Sequence, residues 1–214
     1  MSLCAIIPVK PLMRGKSRLS SILSVDDREI LNRHLLKTLL ESLLPHAEID
    51  HKIVISYDPA ALSFARKFDV NTVLENHNTN INRALRRATM AAMAYGATKI
   101  LILPADLPLI TSNDIKELIL LDDNQSKMII VPDRKMNGTN ALFVNPIGTI
   151  KYNFGEWSFK KHIEQAERKK LPVKIFNNEH IAFDLDVPDD WTLLERIDPE
   201  KRIQIQNLFK EVLA

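Results

Sequence analysis

The chain of 214 residues holds one cysteine and five glycines, and each scarcity excludes something. A lone Cys4 excludes an internal disulfide and a zinc site built on several thiolates. In the basic stretch near the start, Gly15 has no second glycine nearby. That rules out both Gly-x-x-x-x-Gly-Lys-[Ser/Thr] and the dinucleotide turn Gly-x-Gly-x-x-Gly. No run approaches the roughly 18 apolar residues of a membrane span. Met1 to Ile7 has neither the charged start nor the long apolar run of a leader, so a cytoplasmic, soluble protein is expected. The net charge of +2 is too small for general nucleic-acid binding. The six histidines show no His-x-His or His-Glu-x-x-His spacing, and there is no Gly-x-Ser-x-Gly nucleophile elbow.

Acidic residues are also missing from the first 25 positions, where Lys10, Arg14, Lys16 and Arg18 follow the apolar run Cys4 to Ile7. Pro8 and Pro11 end that run as a strand, because proline cannot donate to a sheet ladder. Four uncompensated cations on one loop have two readings. One is a solvated basic loop, screened by salt. The other is a polyphosphate cradle made of strand, glycine-containing loop and helix.

Strand and helix signals alternate along the rest. Ser24 and Asp27 form a capping box before a leucine-rich helix to about Leu44. Ile53 to Ser56, Val70 to Leu74, Lys99 to Leu103, Met128 to Val131, Ala141 to Val144 and Val173 to Ile175 read as strands. Helices are predicted from Asp58–Pro59 to Lys67, from Ile81 to Tyr95, after Thr111, from Ser158 to Lys170, after Pro188 and from Ile203 to Leu213. Glu75 to Asn80 is a polar loop. The continuous apolar character of Lys99 to Leu103 argues for a sheet covered on both faces. The alternation predicts an α/β fold: a three-layer, mostly parallel, doubly wound, Rossmann-like sheet. One domain over 1–214 is expected, with 197–214 a helical extension.

Ligands in such folds sit beyond the carboxyl ends of the strands. Asp106, between Pro104 and Pro108 after a buried strand, and Asp133 after another, should join the basic loop there. Asp184 and Asp186 alternate on one face of an extended segment, where like charges repel unless a cation shares them. Magnesium suits such a set, because it takes few carboxylates and completes its shell with water and phosphate. A capping or turn role is the competing reading of Asp106, and a solvated polar turn that of Asp184 and Asp186. Gly15, Gly138 and Gly155 could admit a phosphate against bare backbone. Ser158 is read as the cap of a helix whose first amides would attract an anion. Thr139 adds a hydroxyl, and His162 lies one turn beyond Ser158. Arg83, Arg86 and Arg87 read as a solvated helix face, Trp157 and Trp191 as packing anchors, and Cys4 as an inert buried thiol.

Several segments occur together in the order of a known family: Ile7-Pro8-Val9-Lys10, Arg14-Gly15-Lys16-Ser17-Arg18-Leu19, Pro104-Ala105-Asp106-Leu107-Pro108, Gly138-Thr139-Asn140-Ala141-Leu142, Phe154-Gly155 with Ser158-Phe159 and His162, and Asp184-Leu185-Asp186-Val187-Pro188. Over about residues 4 to 192 the chain resembles the 2-phospho-L-lactate guanylyltransferases, a family that includes phosphoenolpyruvate guanylyltransferases. The resemblance implies a nucleotidyltransferase fold of the nucleotide-diphospho-sugar transferase type, similar to the molybdenum-cofactor guanylyltransferases. It implies transfer of GMP from GTP to a small phosphorylated three-carbon acid, with loss of pyrophosphate, in coenzyme F-420 biosynthesis. It assigns Lys10, Arg14, Lys16, Arg18, Asn82 and Asp106 to the nucleotide, with Lys10, Lys16 and Asp106 catalytic. Mg2+ falls to Asp106, Asp184 and Asp186, and the acid to Thr139, Gly155 and Ser158. A homodimer is also implied. 2-Phospho-L-lactate is the expected acceptor; phosphoenolpyruvate and 3-phosphoglycerate are its rivals. A sugar-phosphate or molybdopterin nucleotidyltransferase and a non-catalytic nucleotide-binding regulator are the other readings.

Overall fold

The computed structural model describes residues 1–76 and 80–211. His77 with the rest of 77–79 in the predicted polar loop, and the last positions of the predicted extension (212–214), lie outside the described residues. The chain opens with β1 (Leu3–Pro8), a 3-10 turn (Ser17–Leu19) and α1 (Val25–Leu43). Then come β2 (His51–Ser56), α2 (Pro59–Ala65), β3 (Asn71–Leu74), α3 (Ile81–Ala94), β4 (Lys99–Ile102) and α4 (Ser112–Leu120). The second half has β5 (Lys127–Pro132), β6 (Thr139–Asn145), α5 (Ser158–Arg168), β7 (Val173–Ile175), α6 (Glu179–Ala182), α7 (Pro188–Ile197) and α8 (Pro199–Glu211).

Side chains leave a strand alternately to its two faces, and in β1 both faces are buried. Ala5 and Ile7 join Leu36, Leu39, Leu40 and Leu43 of α1. Cys4 and Ile6 join Ala84, Leu85, Ala88 and Ala92 of α3. The helices therefore cover both faces, giving the predicted three layers. Small alanines let α3 lie close to the sheet. Burial pushes the Cys4 thiol up to about 12, so it packs as an inert group.

The seven strands run in the order β3-β2-β1-β4-β6-β5-β7. β1 pairs parallel with β2 and β4, β2 with β3, and β5 with β7; β6 is antiparallel to β4 and β5. Because β6 is reversed, its first residue, Thr139, lies at the edge where the parallel strands end.

Helix ends follow their sequence signals. Ser24 and Asp27 cap each other's backbone amides, and Thr111 with Asp114 repeats the device. The final helix starts at Pro199, four residues before the predicted Ile203, because proline fits a first helical turn. Trp191 stacks on Phe209 of α8 and takes Arg202 over its ring, so it is the anchor expected. Trp157 is not: it is 56% exposed, in a left-handed conformation ahead of α5.

His34 of α1 is held neutral. Burial, then Lys201 and Lys37, lower its pKa to about 4. The unfolded imidazole takes a proton near pH 6.5 that the folded one refuses. Its contribution is therefore complete above pH 6.5 and lost as pH falls toward 4. His34→Leu should reduce the stability lost between pH 7.5 and 4.5 by about 2 kcal/mol, at roughly 1.4 kcal/mol per pKa unit. Urea melts at the two pH values measure this; equal losses in both proteins would refute it.

Candidate functional site

A cleft of about 860 Å3 runs along the edge where the parallel strands end. It is lined by Lys10, Arg14, Lys16 and Arg18 from the loop after β1, by Asp106 after β4, and by Asp184 and Asp186 before α7. Thr139, Gly155 and Ser158 line it too, so the sequence-predicted residues meet in one place, Asn82 excepted.

The loop after β1 is fixed at Leu12. Its amide donates to Asp58 Oδ2 (2.9 Å), and its carbonyl accepts from Asn32 Nδ2 (2.6 Å). A side chain at Gly15 would meet that Asn32 amide at 2.6 Å. Gly15 therefore allows the loop to lie against α1, and its bare face is filled by Asn32 rather than open to phosphate. Gly138 is likewise tight against Asp133. Lys16 follows in the left-handed region (φ 55°), a conformation of order 1–3 kcal/mol unfavourable for such a residue.

That conformation carries the Lys16 side chain inward. The side chain is 6% exposed, and its ammonium sits 3.0 Å from Asp186 Oδ1 and 3.5 Å from Asp106 Oδ2. Burial alone would lower its pKa; Asp106, Asp186 and Asp184 overrule burial and raise it. Burial also works against the charged form of Asp186, but Lys16, with Lys10 and Arg18, holds that carboxyl below its ordinary value. Asp184 stands outside this pairing. Burial first, then Asp106 and Asp186, push its carboxyl up to about 6, against a hydrogen bond from Asn140. Lys10, Arg14 and Arg18 are exposed along the cleft.

The carboxylates are held by residues that pattern reading missed. Asp190 Oδ2 accepts from the amides of Asp186 and Val187, both at 2.8 Å, and its other oxygen pairs with Arg134. Asn140 Nδ2 donates to the carbonyls of Ile181 and Ala182. The Leu185 amide donates to the Asp106 carbonyl (3.1 Å). Leu185 is fully buried, so its two aspartate neighbours are turned together toward the cleft. Asp190 had a signal, the Pro-Asp-Asp helix start, and Asn140 lay within the family segment Gly138 to Leu142; Arg134 had none.

Among the described residues, no three carboxylate, imidazole or thiol groups converge to form a metal cage. The donor set still fits magnesium, which needs only one or two carboxylates beside phosphate and water. Asp184, buried beside Asp106 and Asp186, is a carboxylate that a divalent cation would relieve.

The opposite wall departs from expectation. Ser158 is the first residue of α5 rather than its cap. The amides of Trp157, Ser158 and Phe159 donate to Asn137 Oδ1, Gly155 O and Asn137 O, so they are already used. What is available is the Ser158 hydroxyl, 1% exposed and without a hydrogen-bond partner among the described residues. Gly155 holds φ 121°, which suits glycine, and a Cβ there would meet nothing.

His162 is fully buried beneath this wall, and burial lowers its pKa to about 4. Nε2 accepts from the Asn153 amide (3.0 Å), which leaves the single ring proton on Nδ1. Nδ1 lies 3.1 Å from Thr139 Oγ1 and donates to it, so the Thr139 hydroxyl proton is left for the cleft.

Asn82 is elsewhere engaged. Its Oδ1 accepts from the Phe154 amide (2.7 Å), and its Nδ2 donates to the Phe154 carbonyl (3.0 Å). The side chain predicted to touch nucleotide instead clamps the segment before Gly155. Asp133 reaches the edge but shapes the turn after β5, accepting from Lys135 and Asn137 amides. Glu75, after β3, lines the cleft and was not singled out from sequence.

Residues 3–198 match the family model described as guanylyl transferase CofC like. The chain is 36% identical to the phosphoenolpyruvate guanylyltransferase of Rubrobacter xylanophilus, across 91% of this chain and 94% of that protein. It is 34% identical to the 2-phospho-L-lactate guanylyltransferase of Methanobrevibacter smithii, across 86% and 80%. A chain assigned as a nucleotide-diphospho-sugar transferase from Desulfovibrio desulfuricans G20 superposes with TM-score 0.76 at 16% identity, covering 99% and 95%. A nucleotidyl transferase from Methanothermobacter superposes at 0.65 and 12%, covering 94% and 97%. These two structures show a shared fold.

A carboxyl whose folded pKa is raised favours the folded state at low pH and loses that contribution as pH rises through about 6. Asp184→Asn should therefore raise the unfolding free energy at pH 7.5 without divalent cation by an amount on the order of 1–2 kcal/mol, seen as a higher melting temperature, and change it little at pH 4. An equal shift at both pH values would contradict this.

Proposed function

The chain belongs to the guanylyl transferase CofC-like family, and from that premise we propose that it transfers GMP from GTP to the phosphate of 2-phospho-L-lactate, releasing pyrophosphate, in coenzyme F-420 biosynthesis. It is an enzyme of the nucleotidyltransferase class. The observation that carries the proposal is the single cleft joining the cationic loop, three carboxylates and the Thr139–Ser158 wall. Phosphoenolpyruvate is a second acceptor, favoured by the name of the Rubrobacter relative. The proposal includes a homodimer acting in the cytoplasm, apart from nucleic acid and membrane. Among the described residues no helix is long and apolar enough to cross a membrane.

In this reading the acid's phosphate oxygen attacks the α-phosphorus of GTP. One P–O bond forms, the bond to the β-phosphate breaks, and pyrophosphate leaves. The attacking oxygen is already anionic, so no general base is needed. Catalysis then rests on alignment and on offsetting the repulsion of two polyanions. Lys10, Arg14 and Arg18 draw the triphosphate to the loop, and Lys16 supplies a fixed buried charge between Asp106 and Asp186. Asp106, Asp184 and Asp186 are the residues that would hold magnesium, which supplies Lewis-acid neutralisation of phosphate oxygens. The Thr139 and Ser158 hydroxyls donate to the acid, and Gly155 lets it approach the backbone.

Pyrophosphate release should be seen with GTP, magnesium and 2-phospho-L-lactate or phosphoenolpyruvate. The panel should include 3-phosphoglycerate and the other nucleoside triphosphates. GTP binding without release on any acid would point to a regulator instead. Asp106→Asn should lower turnover by about 100-fold or more. Because it also takes one partner from the buried Lys16, the variant is assayed below its own melting midpoint, where a wild-type rate would remove Asp106 from the site. His162→Phe keeps the ring packed beside Phe154 but removes the proton given to Thr139. It should raise KM for the acid about tenfold, the worth of one hydrogen bond to a charged group, and leave KM for GTP unchanged. Equal effects on both constants would assign His162 to packing alone.

A further inference from the structure

We propose that Glu75 reads the nucleotide base, its carboxylate accepting from the N1–H and 2-amino group of guanine. This rests on the transferase reading above and deepens it. Glu75 follows the edge strand β3, and its amide donates to the Ser56 carbonyl (2.9 Å), which continues the β2–β3 ladder and fixes the backbone. The side chain lines the cleft with Ile55, Ile81 and Ala84, apolar surfaces from β2 and α3 suited to the faces of a purine. Its Oε1 is buried, and among the described residues it has no hydrogen-bond partner. A carboxylate oxygen withdrawn from water without a donor is costly, and a ligand that brings the donor removes the cost. Burial raises the Glu75 pKa, while Arg87 and Arg83 act the other way.

Position gives an independent argument. The strand order puts β3 at one end of the cleft and β6, with Thr139, beyond β2, β1 and β4. Along the sheet, Thr139 and the Glu75 end therefore lie on opposite sides of the cationic loop. β3 is two strand spacings, about 10 Å, from β1, the scale that separates a base from its first phosphates. A nucleotide with its triphosphate on Lys10, Arg14 and Arg18 and its α-phosphorus toward the acid has its base at Glu75.

The chemistry discriminates among bases. Guanine presents two donors side by side, matching two carboxylate oxygens. Adenine and cytosine each place a ring-nitrogen acceptor opposite the carboxylate, and uracil offers a single donor between two carbonyls. Inosine keeps N1–H but lacks the 2-amino group, and xanthine replaces that group with a carbonyl.

Calorimetric titration of the full-length protein with GTP, ITP, XTP and ATP tests this without requiring turnover. Wild type should bind ITP about tenfold or more weakly than GTP, the loss of one hydrogen bond to a charged group. Glu75→Gln exchanges one acceptor for a donor. It should weaken GTP by a similar factor or more and strengthen XTP, reversing their order. Glu75→Ala should bring all four nucleotides close together. ITP binding as tightly as GTP in wild type, or an unchanged GTP-over-XTP order in Glu75→Gln, would overturn the assignment. The ITP comparison needs no variant to fold. GTP preference with no product on any acid would sink the transferase reading and leave Glu75 in place. Turnover with an unaltered base preference in the variants would do the reverse.

Discussion

A buried ammonium must be paired, and here the pairing of Lys16 organises the site. Removing a charge from water costs several kcal/mol, which an adequate set of opposite charges has to offset. Lys16 meets Asp106 from the loop after β4 and Asp186 from the segment before α7. Three stretches far apart in sequence are thereby held at one point. Each is also tied independently: Leu12 by Asp58 and Asn32, Leu185 by the Asp106 carbonyl, and Asp186 by Asp190. The unfavourable φ of Lys16 persists because these restraints over-determine the loop.

The strand order lays the chemistry out as a line. From β3 to β6 the cleft passes Glu75, the basic loop, Asp106 and Thr139. Reversal of β6 matters here. A parallel strand in that place would begin at the far edge and take Thr139 with it. The base, the triphosphate and the acid of the proposed reaction then occupy successive positions, with the α-phosphorus where the carboxylates are densest.

Polar groups near the acid wall divide into those already satisfied and those not. The first amides of α5 are taken by Asn137 and Gly155, and His162 is committed at both nitrogens. The Ser158 hydroxyl remains without a partner among the described residues, and the Thr139 proton is directed outward by His162. A helix start that reads as an anion site through its backbone thus offers hydroxyls instead.

The sequence by itself determined the layers and most of the cleft's composition. Continuous apolar runs at β1 and β4, the leucine stripe of α1 and the Ser24–Asp27 box are local signals, and local geometry follows from them. The loop cations and Asp106 were legible because they follow strands, and doubly wound topology sends such positions to one edge. Asp184, Asp186, Thr139, Gly155 and Ser158 were legible through the family segments that hold them. Only the tertiary structure decided that Lys16 alone of the four cations is buried, that Gly15 serves Asn32, that Asn82 holds Phe154 and that Asp184 is the carboxylate left without a lysine. Only the fold, too, turned Glu75 into the cleft with an unpartnered oxygen. These depend on which atoms meet across long separations in the chain, and hydrogen-bond partners and burial at such distances leave no periodic trace in the residues themselves.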